Sequence, residues 1–275
     1  MRNIYTVPLF KYIPVPVLTI LFLLATNVLL AQSRDTDRQA TFKFKTVVID
    51  AGHGGKDPGA HGVSNKEKDI ALAIALKLRN AINSELPSVK TVMTRSTDVF
   101  VELSRRAEIA NDAKADLFIS IHCNSSPQRT GTKRGALLLV YGYHRKGEQM
   151  EALRENASIY QEKDYSQKYK GYKGDDPAYF ILLNVMMQTY RAQSIKFGKM
   201  VDEEFTQRDG RRSDHVHEQG LLVLAHSAMP SVLVETGFVN NPQDEKYLSS
   251  DEGQNEVAQS LLRALKKYKK DFERN

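Results

Sequence analysis

A chain of 275 residues with 41% hydrophobic content can bury one sizeable core, and its length allows one or two domains. The formal net charge of +6 at pH 7 suits anionic surroundings, such as nucleic acid, anionic lipid or an anionic cell-wall polymer. This charge is only a weak indication of the partner, and we expect no nucleic-acid partner. The single cysteine, Cys123, excludes an intrachain disulfide, and stability must come from the core or from a metal.

Residues 1–31 are predicted to be a secretory signal peptide. Basic residues precede an apolar stretch, residues 12–31, and the chain becomes polar directly after it. Cleavage is expected after Ala31, although Leu29 is larger than the residue usually found at the third position before the cut. The apolar stretch is also long enough to span a bilayer if it is not cut. We therefore expect export from the cytoplasm, with cleavage and membrane anchoring both open.

Strands and helices alternate after a polar linker, residues 32–44. A β-branched run, a Gly-rich loop and an amphipathic run predict a first strand–helix unit, and the helix ends before Pro87. The continued alternation predicts βαβ units and a sheet with much parallel pairing, covered by helices on both faces. The predicted strands of this part are residues 45–50, 91–94, 117–122 and 135–143, and the predicted helices are residues 64–86 and 103–113.

The regular pattern stops at residues 144–176, which are charged and contain few aliphatic side chains. Residues 148–160 are predicted to form a helix, and the rest of this segment is expected to be an exposed insertion. Beyond it we expect a helix, a loop, a strand and a C-terminal helix, at residues 179–205, 211–220, 231–235 and 253–272.

Three candidate metal ligands stand at the ends of predicted elements. His53 follows the first strand, Glu67 opens the first helix, and His122 ends the third strand. In open α/β sheets, sites form at the carboxyl ends of strands, so the two histidines can meet there. Two imidazoles and a carboxylate are the ligands of a catalytic zinc site that keeps a fourth position for water.

Each of these residues also has an alternative interpretation. Glu67 completes a capping box with Ser64, and local sequence alone favours that role. His122 is compatible with a hydrogen-bonded histidine of the core. Elsewhere, His215 and His217 would share one face if they lay in a strand, which makes them a rival metal site, but their polar setting favours a loop.

Glu235 ends a predicted strand whose preceding residues are apolar. A buried carboxylate without a partner is unfavourable, so this residue requires a partner or a role in chemistry. One interpretation is a salt bridge to one of the many arginines of the chain. The other is a general base that takes a proton from metal-bound water.

Five segments, taken together, are specific for one family. They are residues 48–60 (VIDAGHGGKDPGA), 66–69 (KEKD), 94–98 (of which Thr94, Arg95 and Asp98 match), 115–124 (ADLFISIHCN) and 229–241 (MPSVLVETGFVNN). On these segments the chain resembles the zinc-dependent N-acetylmuramoyl-L-alanine amidases of bacterial cell-wall turnover. The matches follow the order of the family and cover nearly the whole exported part. Cys123 stands where a small residue such as alanine is expected, and this departure touches no implied ligand.

The resemblance implies a single α/β domain over residues 45–272, with a twisted, mostly parallel central sheet. It implies that His53, Glu67 and His122 bind one zinc ion per chain and that Glu235 is the catalytic glutamate. The implied reaction is hydrolysis of the amide between N-acetylmuramic acid and L-alanine of peptidoglycan, in daughter-cell separation or wall turnover. The implied location is the periplasm, in association with the cell wall.

In some relatives an inserted helix blocks the zinc with a glutamate until a partner protein displaces it. The predicted helix over residues 148–160 is a candidate for such a plug, with Glu155 or Glu162 reaching the metal and an activator protein as a partner. The alternative is a solvated surface insertion.

Two other functions stay open on the sequence alone. A non-catalytic wall-binding protein of the same fold is one, although it would have no physical need for an unpaired Glu235. A zinc peptidase acting on peptide cross-links is the other, and it would release different products.

Overall fold

The computed structural model describes residues 43–128, 130–142, 150–169 and 177–274. The predicted signal peptide and most of the predicted linker lie outside these ranges, as do residue 143 and part of the predicted insertion, residues 144–149 and 170–176. The residues described between Lys43 and Arg274 form one compact unit. Among them, no helix combines the length and the apolar character that a bilayer span requires.

A central sheet of six strands organises the described residues, in the order β2-β1-β3-β6-β4-β5. Neighbouring strands are parallel throughout except for β4 and β6, which run antiparallel. The mostly parallel sheet predicted from the sequence is therefore confirmed. The strands are β1 (Thr46–Ala51), β2 (Lys90–Met93), β3 (Leu117–Asn124), β4 (Ala136–Tyr141), β5 (Ser213–Gln219) and β6 (Ser231–Phe238).

Helices cover both faces of this sheet, as predicted. Successive strand residues alternate between the two layers, so Val47 and Ile49 pack against one layer and Val48 against the other. The first layer contains α1, α5 and α8, and the second contains α2, α3 and α6. The helices are α1 (Glu67–Glu85), α2 (Leu103–Asp112), α3 (Met150–Asn156), α4 (Tyr165–Lys168), α5 (Pro177–Glu203), α6 (Leu222–Ala225), α7 (Pro242–Leu248) and α8 (Asp251–Phe272).

Two parts of the chain differ from the prediction. The expected loop over residues 211–220 is wrong, because β5 lies there and pairs with β4 as an edge strand. Its side chains are mainly polar and partly exposed, so it lacks the apolar alternation that predicts a strand. The predicted helix over residues 148–160 is broken, since α3 ends at Asn156 and a 3-10 turn, Ala157–Gln161, follows it.

A buried ion pair supports the loop that follows β1. Asp50 is fully buried, and Arg106 of α2 donates to its Oδ1 at 2.7 Å. The hydroxyls of Thr94 and Ser120 donate to the same carboxylate at 2.6 Å each. Burial would raise the pKa of Asp50, but Arg106 and these hydroxyls hold it below its usual range. The pair is therefore fully hydrogen-bonded, as a buried charge requires.

Two buried arginines, Arg95 and Arg106, hold the backbone of the loop that follows β1. Arg106 also donates to the carbonyls of Ala51 and His53, at 2.7 Å each. Arg95 donates to the carbonyls of Ala51 and Gly52, at 2.9 and 2.6 Å. His53 has a left-handed φ of 57°, which is uncommon for a residue with a side chain. The guanidinium groups therefore stabilise the backbone in a conformation that it would not adopt alone.

Replacing Arg106 by alanine leaves Asp50 buried without its countercharge. We expect this variant to lose about 3–5 kcal/mol of the free energy of unfolding in urea denaturation. Arg105→Ala is the matched control, because the neighbouring Arg105 only pairs with exposed carboxylates and should change stability by about 0.5 kcal/mol or less. Equal stability of the two variants would contradict the proposed support of the loop.

Candidate metal centre

Four buried side chains converge at the carboxyl ends of β1 and β3. His53 follows β1, Glu67 begins α1, His122 lies in β3 and Glu155 lies in α3. One ligand atom from each of them lies within 4.8 Å of the others. The structure thus brings together the three residues that the sequence singled out as ligands and adds a fourth from the insertion.

The distances within this cluster suit a small cation. His122 Nδ1 lies 3.0 Å from Glu67 Oε1 and 2.8 Å from Glu155 Oε2, and His53 Nε2 lies 3.1 Å from each of the same two oxygens. Ligands about 2.0–2.1 Å from a tetrahedral zinc would be about 3.3 Å apart, which is close to these values. His53 Nε2 and Glu155 Oε2 are buried, and neither makes a well-aligned hydrogen bond with a described residue. The donor set and these unsatisfied atoms fit a metal ion.

Backbone contacts hold Glu67 towards the cluster. Its Oε2 accepts a hydrogen bond from the amide of Ala60 at 2.8 Å, and its Oε1 accepts one from the amide of Cys123 at 2.9 Å. The predicted capping box is not formed, because α1 has Lys66 as its N-cap residue and no side-chain capping bond. The carboxylate therefore bonds to backbone amides outside α1 and not to the helix end that it was predicted to cap.

Asp57 orients the ring of His53, a contact that the sequence did not predict. Its Oδ2 lies 2.9 Å from His53 Nδ1, which leaves Nε2 to face the cluster. Ser158, in the 3-10 turn after α3, donates to the same oxygen at 2.5 Å. Burial would raise the pKa of Asp57, but the hydrogen bond with His53 and its charge hold that pKa well below the usual range. A carboxylate behind a ligating imidazole is the usual arrangement in metal sites.

Two glycines leave room for the ligands. A Cβ at Gly52 would lie 2.4 Å from Cε1 of His122. At Gly59, φ is +65°, and a Cβ would lie 2.6 Å from His53 Cδ2 and 2.7 Å from Glu67 Oε2. The Gly-rich loop is therefore required by the close approach of backbone and ligand side chains.

Carboxylates change the protonation of both imidazoles in the metal-free molecule. Burial alone would lower the pKa of His122, but the charge and hydrogen bond of Glu155, together with Glu67, raise it to about 9. Burial is likewise outweighed at His53, where Glu67, Asp57 and Glu155 raise the pKa well above its usual value. The carboxylates therefore favour the protonated form of both rings in the metal-free molecule, and a metal would compete with these protons.

Glu235 lies beside the cluster, paired in register with His122 on the neighbouring strand. It is fully buried, and burial, reinforced by Glu155 and Glu67, raises its pKa to about 8 against the opposing charge of Arg154. Arg154 donates to its Oε1 at 2.7 Å, so the salt bridge considered above as an alternative is present. The Oε2 atom has no hydrogen-bond partner among the described residues and stays available for other contacts.

Helix α3 places two charged side chains over the site. Besides Glu155 at the cluster, it carries Arg154, which donates to Glu235 and to Asn124 Oδ1 at 2.7 Å each. The sequence did not single out Arg154, because a basic residue in a charged segment carries no distinguishing signal. Glu162, the other glutamate considered for this place, instead accepts hydrogen bonds from the amide of Leu103 and the hydroxyl of Tyr169.

The rival histidines lie apart from this cluster, on the edge strand β5. His215 pairs with Asp202 at 2.9 Å, and His217 Nε2 bonds to the carbonyl of Asp214 at 2.8 Å. Within the described ranges, the group of His53, Glu67, His122 and Glu155 is the one that has the donors and spacing for a metal.

Comparison with known proteins identifies the family. A family model described as N-acetylmuramoyl-L-alanine amidase matches residues 47–267. The amidase AmiC of Escherichia coli O6:H1 is 34% identical over 225 residues, which is 81% of this chain and 52% of that protein. The chain therefore spans about half the length of the first curated relatives that it matches.

Two solved structures share the fold closely. The catalytic domain of the amidase CwlV from Bacillus (Paenibacillus) polymyxa superposes with a TM-score of 0.59 at 29% identity, over 82% of this chain and 97% of that one. The CwlD amidase from Clostridioides difficile, solved in complex with the GerS lipoprotein, gives a TM-score of 0.58 at 26% identity, over 82% and 98%. The segments that carried the resemblance lie within the matched range, and the chain belongs to the N-acetylmuramoyl-L-alanine amidase family.

Proposed function

We propose that this protein is a zinc-dependent amidase that hydrolyses the bond between N-acetylmuramic acid and L-alanine in peptidoglycan. The observation that carries the proposal is the convergence of two imidazoles and a carboxylate beside a fully buried glutamate of raised pKa. Family membership supports the same substrate. His53, Glu67 and His122 would hold one zinc ion per chain, with a further position for water.

Glu235 is the proposed general base and acid. Zinc held by the three ligands would lower the pKa of water and offset negative charge on the scissile carbonyl. Glu235 takes the proton of the attacking water and delivers it to the nitrogen of the leaving L-alanine. Burial raises the pKa of this carboxyl group above its ordinary value, which increases its affinity for the proton of the attacking water.

The described conformation is proposed to be a resting state. Glu155 faces the cluster where water would bind, and Arg154 holds Glu235. The segment is fastened to the domain by polar contacts, including the bond from the amide of Ala152 to Gln219 Oε1 at 2.8 Å. Meanwhile Leu153, on the outer surface of α3, is 65% exposed. The segment also buries Ala152 and Tyr169 in the second layer of the core, so a partner that displaces it would have to cover these side chains or the surface that they leave.

We propose residues 45–272 as the catalytic domain, with residues 144–176 as its regulatory insertion and a partner protein as the activator. The solved complex of the related CwlD amidase with the GerS lipoprotein supports a protein partner. The N-terminal segment, residues 1–31, supports export and action on the wall in the periplasm. If it stays uncleaved, it would anchor the enzyme to the membrane.

Replacing Glu155 by alanine should activate the enzyme. The variant removes the carboxylate that blocks the cluster, so we expect at least about tenfold faster release of stem peptides from purified sacculi at saturating zinc. Leu153→Ala is the matched control on the same helix, because its exposed side chain does not touch the cluster, and it should leave the basal rate unchanged. A rate no higher than wild type for Glu155→Ala, with equal zinc content, would rule out the plug.

Replacing Glu235 by glutamine in the Glu155→Ala background should abolish hydrolysis. The amide keeps the shape of the side chain but cannot transfer protons, so we expect a loss of about 100-fold or more with zinc binding retained. Mass spectrometry of the products separates the rival functions. Free stem peptides that begin with L-alanine support the amidase, and cleaved cross-links support a peptidase. A purely wall-binding protein would release nothing in either variant.

Metal binding should depend on pH because zinc and protons compete for the imidazoles. The raised pKa values of His53 and His122 stabilise the metal-free fold below about pH 6.5, and this contribution is lost as the pH rises through about 9. We expect the Tm of chelator-treated protein to fall between pH 6.5 and pH 9, while zinc affinity rises over the same range. A Tm of metal-free protein that increases with pH would contradict this.

A further inference from the structure

Arg154 occupies a place where three acceptor oxygens of the domain converge. Its guanidinium donates to Asn124 Oδ1 at 2.7 Å, to the carbonyl of Ser125 at 3.1 Å and to Glu235 Oε1 at 2.7 Å. The three acceptors belong to β3, β6 and the residue after β3, whereas Arg154 belongs to α3 of the insertion. If the insertion moves away, the carbonyl of Ser125 and Glu235 Oε1 lose these donors, and Asn124 Oδ1 keeps only the amide of Ser125.

The side-chain amide of Asn124 offers a hydrogen-bond acceptor and a hydrogen-bond donor, which a peptide group can pair with. Its Oδ1 accepts from Arg154 and also from the amide of Ser125 at 2.7 Å, which fixes the orientation of the side-chain amide. Its Nδ2 is a buried donor without a hydrogen-bond partner among the described residues, and the residue is 1% exposed. An unused donor beside acceptors matches a peptide unit, which offers one N–H and one carbonyl.

A cavity of about 500 Å³ begins at this place. Ser125, Ser126, Leu137 and His217 contribute to its wall on the domain side, and α3 contributes Met150, Glu151 and Arg154. No residue of the metal cluster lines it, and Asn124 is separated from it by Arg154. Ser126 is 7% exposed, and its hydroxyl has no hydrogen-bond partner in the described part of the chain. The cavity is thus partly apolar, with unsatisfied polar groups at one end, as expected of a ligand site.

The proposed reaction decides which part of the substrate lies on this side. The proton that Glu235 takes from water ends on the leaving nitrogen, so this nitrogen and the peptide attached to it must lie next to Glu235. Leu137, in the cavity wall, is paired in register with Glu235 on the neighbouring strand. The cavity wall thus adjoins Glu235, where the leaving peptide would lie, and the glycan would then lie outside the cavity.

We propose that this cavity binds the stem peptide of the substrate, with Asn124 and the carbonyl of Ser125 as its hydrogen-bonding partners. While the insertion is in place, the N–H groups of Arg154 imitate those of the peptide. The proposal rests on the proposed amidase function and adds the direction of the substrate across the site. Asn124 is a substrate-binding residue in this account, and it takes no part in holding the metal.

Calorimetric titration of the zinc-loaded full chain tests the proposal, with the released stem peptide and with N-acetylmuramic acid as separate probes. Arg154→Ala frees the acceptors, so it should bind the peptide about tenfold more tightly than wild type. Arg154→Ala/Asn124→Leu should lose about tenfold again, which corresponds to one hydrogen-bonded group. The affinity for N-acetylmuramic acid and the zinc content should stay the same in all three proteins.

Peptide affinity that is unchanged by Asn124→Leu, or that is no higher in Arg154→Ala than in wild type, overturns the proposal. So does a loss confined to N-acetylmuramic acid, which would reverse the direction of the substrate. If Asn124→Leu does not fold, His217→Trp in the Arg154→Ala background decides, because the exposed edge strand tolerates the larger ring. It should fill the cavity and weaken peptide binding, and an unchanged affinity rejects the site.

Failure of the proposed function gives a different result. In that case the Glu155→Ala chain would release no L-alanine peptide from sacculi, whatever the binding data show. Release of the peptide together with insensitivity to Asn124 would keep the amidase and reject only the peptide site.

Discussion

The site depends on charged groups that are held close together, because two carboxylates and two imidazoles lie within 5 Å of one another and all four side chains are buried. Carboxylates at this distance repel each other strongly in a buried environment unless a cation lies between them. In the metal-free molecule two protons on the histidines supply that positive charge. One divalent ion in place of two protons would leave the net charge of the cluster unchanged.

The surrounding structure keeps the four groups from moving apart. Arg95 and Arg106 fix three successive carbonyls of the loop that carries His53, and the buried Asp50 fixes Arg106 in turn. The same loop has no side chains at Gly52 and Gly59, where ligand atoms approach the backbone. Glycines make this segment flexible by itself, but the arginine hydrogen bonds fix its backbone in the folded protein. These bonds hold the imidazole of His53 in place before a metal binds.

The sequence predicted those features that follow from local pattern or from strand direction. His53 and His122 were expected to meet because the carboxyl ends of parallel strands lie at one edge of a sheet. The role of Glu67 was ambiguous, since the donors that turn it inward, such as the amide of Cys123, are far away in the chain. Strand β5 was missed because an edge strand with polar side chains resembles a loop. Arg154 was missed because its acceptors come from β3 and β6, which local sequence does not connect to it.

Sequence alone could not decide whether Glu155 or Glu162 reaches the metal cluster, because the path of the chain after α3 decides it. An uninterrupted helix would carry both residues onward along one axis, but α3 ends at Asn156 and the 3-10 turn redirects the chain. Glu155 consequently faces the metal cluster, whereas Glu162 accepts hydrogen bonds at the start of α2. Two adjacent residues of one short helix therefore contact two parts of the site: Glu155 contacts the proposed ligands, and Arg154 contacts Glu235, the proposed general base. Under the proposed regulation, displacement of this helix would release both at once.

X-ray absorption spectroscopy at the zinc edge of the purified full chain tests the central claim most directly, because it reports the ligand atoms themselves. The account predicts one zinc per chain with two imidazole nitrogens and carboxylate or water oxygens at about 2.0–2.2 Å. A sulfur ligand at about 2.3 Å, which only Cys123 or a methionine could provide, or a zinc without imidazole ligands would contradict it.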